Sequence, residues 1–107
     1  MRVYLAGPMR GIKDYNFPAF DFAAEQLRAA GHTVFSPADN DRETANQGAT
    51  FDIRRALLDD TRWICNHAEA VAVLPGWENS KGALMEMALA KALDLTVIIL
   101  GKDYTDV

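Results

Sequence analysis

The chain has 107 residues and a single cysteine, Cys65, so it cannot close an internal disulfide. The absence of a disulfide framework fits a reducing, cytoplasmic setting, and Cys65, inside a helical stretch, reads as a packing residue. Long apolar runs are also missing. No segment approaches the ~18 apolar residues needed to span a membrane. The opening Met1 to Gly7 has the look of a leader, but its apolar run is short and Arg10, Lys13 and Asp14 follow at once, so it reads as a buried strand. Cationic side chains are outnumbered, 11 Lys and Arg against 15 Asp and Glu, for a net charge of -4. That balance excludes a nucleic-acid polymer as the expected partner, because neutralising a phosphate backbone takes clustered cations. Only two histidines, His32 and His67, accompany the one cysteine, at no metal-ligand spacing. Both read as local caps or surface groups. There is no repeat, linker or low-complexity segment, and no metal or cofactor is expected.

What is present is an ordinary globular composition, half of it hydrophobic, in a length that suits one domain over residues 1–107. Strand and helix signals alternate. Val3 to Ala6 is a short apolar run ended by Gly7-Pro8. Asn16, Phe17 and Pro18 predict a helix start with Asn16 as cap, and Phe20, Ala23, Ala24, Leu27 and Ala30 carry the helix to Gly31. Thr33 to Phe35 is a second strand. Residues 37 to 50 (PADNDRETANQGAT) are polar and rich in turn formers, which predicts a long lid-like loop. A second helix begins near Thr50 and runs past Ile64. Ala70 to Leu74 is a third strand, Ser80 caps a third helix running to about Leu93, and Thr96 to Leu100 is a fourth strand. The alternation predicts an α/β fold, a three-layer sandwich around a parallel sheet of four or five strands. Right-handed crossovers give a flavodoxin-like or Rossmann-like order 2-1-3-4. Ligands of such sheets bind beyond the carboxyl ends of the strands where the order reverses, here at the loops Gly7 to Lys13 and Pro75 to Ser80.

Several residues at those loops have chemistry to offer. Gly7-Pro8-Met9-Arg10-Gly11 follows the first strand. Its glycines let the backbone approach a ligand and Arg10 offers a planar fork to phosphate or carboxylate. The spacing is not that of a Walker loop or a dinucleotide fingerprint. Ser80-Lys81-Gly82-Ala83 opens a helix whose first-turn N–H groups suit an anion. Glu86 in that helix shares a face with Gly82, Leu89, Ala90 and Leu93, and an acid in an apolar stripe needs a reason. Pairing with Arg54 or Arg55 is the structural reason; a carboxylate set against a reacting carbon is the functional one. Asp59 and Asp60, adjacent on a helix, read as solvent-facing unless Asp60 serves as a second carboxyl beside Glu86. Tyr4 reads as a core residue whose hydroxyl reaches the end of its strand. Trp77 is placed to stack on a planar base, with Tyr15, Asn16 and Phe17 as the opposite wall.

Taken together these residues resemble the nucleoside 2-deoxyribosyltransferase superfamily, including its deoxynucleoside 5'-monophosphate N-glycosidases and a compact, often phage-associated group. Tyr4-Leu5-Ala6-Gly7-Pro8-Met9-Arg10-Gly11 is similar to the superfamily's first strand and sugar- or phosphate-binding loop. Asp60-Thr61-Arg62-Trp63 is similar to the helix of its catalytic Asp. Ser80 to Glu86 is similar to the stretch in which a ligand-binding Ser precedes the nucleophilic Glu by six residues. The resemblance implies cleavage of an N-glycosidic bond in a nucleoside or nucleotide by double displacement, with Glu86 as nucleophile. Asp60 would serve the departing base, Tyr4 would orient Glu86, and Arg10 and Ser80 would hold any phosphate. It implies a homodimer or larger homo-oligomer and no cofactor. Pro8 stands where the monophosphate branch has Ser, which leaves nucleoside and nucleotide both open. Beyond the fourth strand little chain remains of the region from which longer relatives supply contacts; Tyr104 is either its remnant or tail. The alternative to an enzyme is a binding module that senses a nucleotide-derived ligand in the same pocket.

Overall fold

Val3, Tyr4, Leu5 and Ala6 are completely buried, and so are Ala70, Val71, Ala72 and Val73. Unbroken apolar burial of this kind belongs to strands covered on both faces. In the computed structural model, which describes residues 1–102, these runs form β1 (Arg2–Ala6) and β3 (Ala70–Val73). They pair in parallel at the centre of a four-stranded sheet, with β2 (Thr33–Phe35) outside β1 and β4 (Thr96–Ile99) outside β3. The order is 2-1-3-4, as predicted, with four strands among the described residues. Tyr104 lies outside them.

The helices are α1 (Phe17–Ala29), α2 (Pro37–Glu43), α3 (Ile53–His67) and α4 (Lys81–Ala92). Side chains alternate across a strand, so Val3 and Leu5 join Phe20, Ala24 and Leu27 of α1 in one core, while Tyr4 and Ala6 join Ile64 of α3 and Met87 of α4 in the other. Gly31, at φ +97, ends α1 and lets the His32 N–H return to the Leu27 carbonyl at 3.1 Å. Ser80 caps α4 as expected, its Oγ accepting from Ala83 N at 3.2 Å. No helix among the described residues is long and apolar enough to cross a membrane.

Five expectations are corrected. Residues 37 to 50 are not an open loop. Pro37 starts α2 at the position where its missing N–H costs nothing, with Asp39 in the first turn and Arg42 in the last, both matched to the helix dipole. Arg42 pairs with Asp21 at 2.6 Å and Asp39 at 2.9 Å, and Arg28 with Asp39 at 2.9 Å, tying α2 to α1. The rest of the segment is fixed by buried Asn46, whose amide bonds both Asp52 N (2.7 Å) and Asp52 O (2.9 Å). Asp52 then caps α3, which starts at Ile53 rather than near Thr50. Asn16 does not cap α1. It sits at φ 59, after Asp14 and Tyr15 in the same left-handed region, and its amide donates to the Pro8 carbonyl at 2.9 Å. Leu93, placed on the apolar stripe of α4, is exposed. Cys65 is exposed on α3 and is no packing residue.

At the carboxyl end of the sheet the two central loops leave side by side, with Leu74 N bonded to Ala6 O at 2.8 Å. A Cβ on Gly7 would lie 2.8 Å from Leu74 Cβ, so only glycine lets the loops separate at that point. Gly7→Ala is therefore expected to destabilise the protein by about 1–3 kcal/mol, the usual range for overpacking. A Cβ on Gly82 meets nothing within 4 Å, and Gly82→Ala should gain roughly 0.5–1 kcal/mol of helix stability. Urea unfolding of the two variants checks the opposite signs; a harmless Gly7→Ala would refute the packing argument.

Candidate active site

Strand alternation aims Tyr4 at the face covered by α3 and α4, and the helical turn that follows Ser80 brings Glu86 to meet it. The Tyr4 hydroxyl donates to Glu86 Oε2, and both residues are buried. Tyr4 is held from behind by an aromatic column. Its ring stacks on Phe35 at 5.5 Å, and Phe35 stacks on Trp63 at 5.3 Å. Asp60, three residues before Trp63 on α3, is buried beside the same hydroxyl, with its Oδ1 lacking a hydrogen-bond partner among the described residues. Neither Arg54 nor Arg55 reaches Glu86; both are exposed near the start of α3. The partner of Glu86 is a phenol.

Burial raises the Glu86 carboxyl to about 8, with the neighbouring Asp60 charge raising it further and the Tyr4 hydrogen bond opposing. Asp60 is raised to about 7, again by burial first, against the Tyr4 hydrogen bond, with Asp41 and Asp59 adding repulsion. Tyr4 is raised well above the ordinary phenol value by burial and by both acids, so it stays a donor. Such a pair titrates as one unit, and between its two steps it holds one proton and one charge.

The three groups stand on the wall of a cavity of about 490 Å³, within the range of small-molecule sites. Gly7, Pro8, Met9, Arg10 and Gly11 line it from the β1 loop, and Ser80, Lys81 and Gly82 from the start of α4. This is the switch point expected from the strand order. Ser80 Oγ already accepts the cap bond, so its hydroxyl has a proton to donate to a ligand. A second cavity of about 420 Å³ lies across Pro8 and shares Arg10 and Asn79 with the first.

Not every predicted residue is there. Asn16 lines the second cavity, not the first, and is occupied with the Pro8 carbonyl. Phe17 packs on the α1 core under the Arg42 guanidinium, which lies 5.0 Å from its ring centroid. Trp77, in a short 3₁₀ turn before α4, packs against the core of α3 and α4 and lines neither cavity. Of Tyr15, Phe17 and Trp77, none is a cavity wall. The aromatics that do line the main cavity are Tyr4 and Phe51, the latter with Ile53 and Leu57 beside it. Asp41 of α2 is also there, unanticipated because its segment reads as loop; Ser36-Pro37 ahead of an acidic first turn is the helix-start signal that would have found it. Among the described residues no three His, Cys, Asp or Glu side chains are grouped to hold a metal ion.

Residues 1–99 match the family model described as a domain of unknown function, DUF4406. No curated protein and no solved structure matches the chain.

The raised carboxyls carry a sign for stability. Asp60 and Glu86 hold their protons to higher pH in the folded state than in the unfolded chain, whose carboxyls titrate near 4. Their contribution is therefore complete below about pH 4 and is lost as pH rises through about 7 and 8. Tm is expected to fall by about 5 °C or more between pH 5 and pH 8.5, since each pK unit is worth about 1.4 kcal/mol. Glu86→Gln and Asp60→Asn should each flatten the fall and raise Tm at pH 8.5. A Tm that climbs with pH in the wild type, or a slope untouched by both variants, would contradict the buried-pair assignment.

Proposed function

The chain belongs to the DUF4406 family, and from the chemistry of its cavity we propose that it cleaves the N-glycosidic bond of a (deoxy)nucleoside or its 5'-monophosphate. The observation that carries this reading is the buried Tyr4 hydroxyl between two carboxyls, Glu86 and Asp60, on the wall of a cavity. Glycosidic chemistry asks for two carboxyls in different protonation states, one to attack and one to give a proton. A pair that holds one proton near neutral pH meets that demand in the tautomer that leaves Glu86 charged under the Tyr4 hydrogen bond and the proton on Asp60, although Glu86 is the weaker acid of the two. The resemblance to nucleoside 2-deoxyribosyltransferases supplies the substrate class.

In the first step a Glu86 carboxylate oxygen bonds to the anomeric carbon while the carbon–nitrogen bond to the base breaks. The bonding pair leaves with the base, and the proton on Asp60 passes to it. Tyr4 keeps Glu86 in place through its hydrogen bond. In the second step water, deprotonated by Asp60, attacks the same carbon and frees Glu86; a second base in place of water gives transfer. The N–H groups of Lys81 and Gly82 at the start of α4, together with Arg10, suit the sugar or a 5'-phosphate. Pro8 offers neither a hydroxyl nor an N–H there, so both substrate forms belong to the proposal. A cytoplasmic homodimer or larger assembly also belongs to it.

Release of free base from a panel of deoxynucleosides and their 5'-monophosphates, followed by chromatography, is the test, with a second base added to detect transfer. The pH profile of kcat/KM should be bell-shaped, with limbs at about 7 and about 8. Glu86→Gln should lose about 10³-fold or more in turnover, since it removes the nucleophile. Tyr4→Phe should lose about 10-fold to 100-fold with little change in KM. Wild-type rates in Glu86→Gln would overturn the Glu86 mechanism, and binding without release would replace the enzyme by a sensor of the same ligand.

A further inference from the structure

The main cavity has two chemically different sides. The β1 loop and the start of α4 bring N–H donors and the cations Arg10 and Lys81. The α2 and α3 side brings apolar walls, Phe51, Ile53 and Leu57 among them, and its polar side chains are Asp60 and Asp41. A planar, uncharged group fits between apolar walls, whereas a sugar or phosphate fits the donors. On the glycosidase reading, on which this inference rests, the base therefore points toward α2.

Asp41 stands at that end without a use in the chemistry above. It is 4% exposed, and its Oδ1 is buried with no hydrogen-bond partner among the described residues. Its neighbour Asp59 differs, since it accepts from the Asn40 amide at 3.1 Å. Ser36 Oγ is also buried without a partner, but it does not line the cavity. A buried acceptor with no protein donor, in a residue that lines a cavity, is unfavourable until a ligand or water brings the donor. The described acids are not grouped in threes as metal ligands. An N–H on the ligand supplies the donor that Asp41 lacks.

We propose that Asp41 selects the base: its carboxylate accepts an N–H from an exocyclic amino group, so the site takes amino-bearing nucleobases ahead of uracil and thymine. Cytosine, adenine and guanine each carry such a group at the ring edge. Uracil and thymine present carbonyl oxygens on both sides of their one imide N–H, and a carboxylate repels them. Burial, followed by the Asp59 charge, raises the Asp41 carboxyl to about 6, which leaves it ionised and accepting at neutral pH. The fold holds it there through the Arg42 and Arg28 ion pairs that fasten α2 to α1.

The test measures binding separately from turnover. Calorimetry on Glu86→Gln protein compares deoxycytidine, deoxyadenosine and deoxyguanosine with deoxyuridine and thymidine, each also as its 5'-monophosphate. At least one amino-bearing ligand should bind about tenfold or more tighter than its uracil or thymine counterpart. Adding Asp41→Asn, which offers an N–H as well as a carbonyl, should bring that ratio to within about threefold, and Asp41→Leu should do the same without any polar atom. Equal binding across the panel, a preference for uracil or thymine, no binding of any ligand, or a preference that survives both substitutions would overturn the inference. Base release by the wild type on the same panel judges the glycosidase reading by itself. Discrimination without release sinks that reading and leaves Asp41's role standing; release without discrimination does the reverse.

Discussion

The hydrogen bond from the Tyr4 hydroxyl to Glu86 joins the central strand β1 to α4, the helix that begins beyond the neighbouring strand β3. Tyr4 is fully buried and Glu86 is 5% exposed, so the bond is shielded from bulk solvent. Removing one end would leave the other buried and unsatisfied, at about 1–3 kcal/mol. The Phe35 and Trp63 rings fix the phenol from behind, and Trp63 in turn fixes the part of α3 that carries Asp60. The phenol bonds Glu86 and stands beside Asp60, two acids that repel one another on adjacent helices.

That arrangement follows from periodicities more than from any unusual residue. Alternation along β1 gives Val3 and Leu5 to one core and Tyr4 and Ala6 to the other. On α4, Ala83, Glu86, Met87 and Ala90 are spaced by three and four, so Glu86 lies within the buried stripe. The loops leaving β1 and β3 must then diverge to open a space above the acids. Gly7 permits the divergence, and Pro8 keeps it, packed near Gly76 and held through its carbonyl by Asn16. The backbone at Asp14, Tyr15 and Asn16 is in a region that costs a non-glycine residue about 1–2 kcal/mol. The chain carries that strain where it brings the Asn16 amide to Pro8.

The sheet order, the four strands and the position of Glu86 were legible because each rests on a strong local pattern. Short apolar runs ended by Gly and Pro, and an acid within an apolar stripe, survive any choice of tertiary contacts. The segment from Pro37 to Thr50 was not legible in the same way. Its helix is seven residues long, too short to show a period, and its stability comes from ion pairs with α1 that sequence spacing does not reveal. The same cause hid Asp41. Trp77 and Phe17 failed for another reason: a large aromatic beside a site is as useful for closing a core as for stacking on a ligand, and both are used to pack. Asn16 has the propensity of a cap, yet its amide serves the loop before the helix. Cysteine is a residue type that packs, but the face of α3 on which Cys65 lies leaves it exposed.

Two buried acids beside a phenol are an expensive way to fill a core. Apolar residues of similar volume would leave no desolvated carboxyl and no orphaned Asp60 Oδ1. Structural buried acids are ordinarily matched with a cation, whereas Arg54 and Arg55 at the start of α3 stay in solvent. The acids are instead matched with a group that cannot take up their charge and cannot lose its own proton at ordinary pH. The pair is thereby kept between its two protonation steps, at a cost in stability that a purely structural contact would not incur. On the proposed chemistry that cost has a use, because bond cleavage needs one acid charged and the other protonated at the same moment. The destabilised carboxyls and the catalytic pair are then the same physical fact, seen once from folding and once from the cavity.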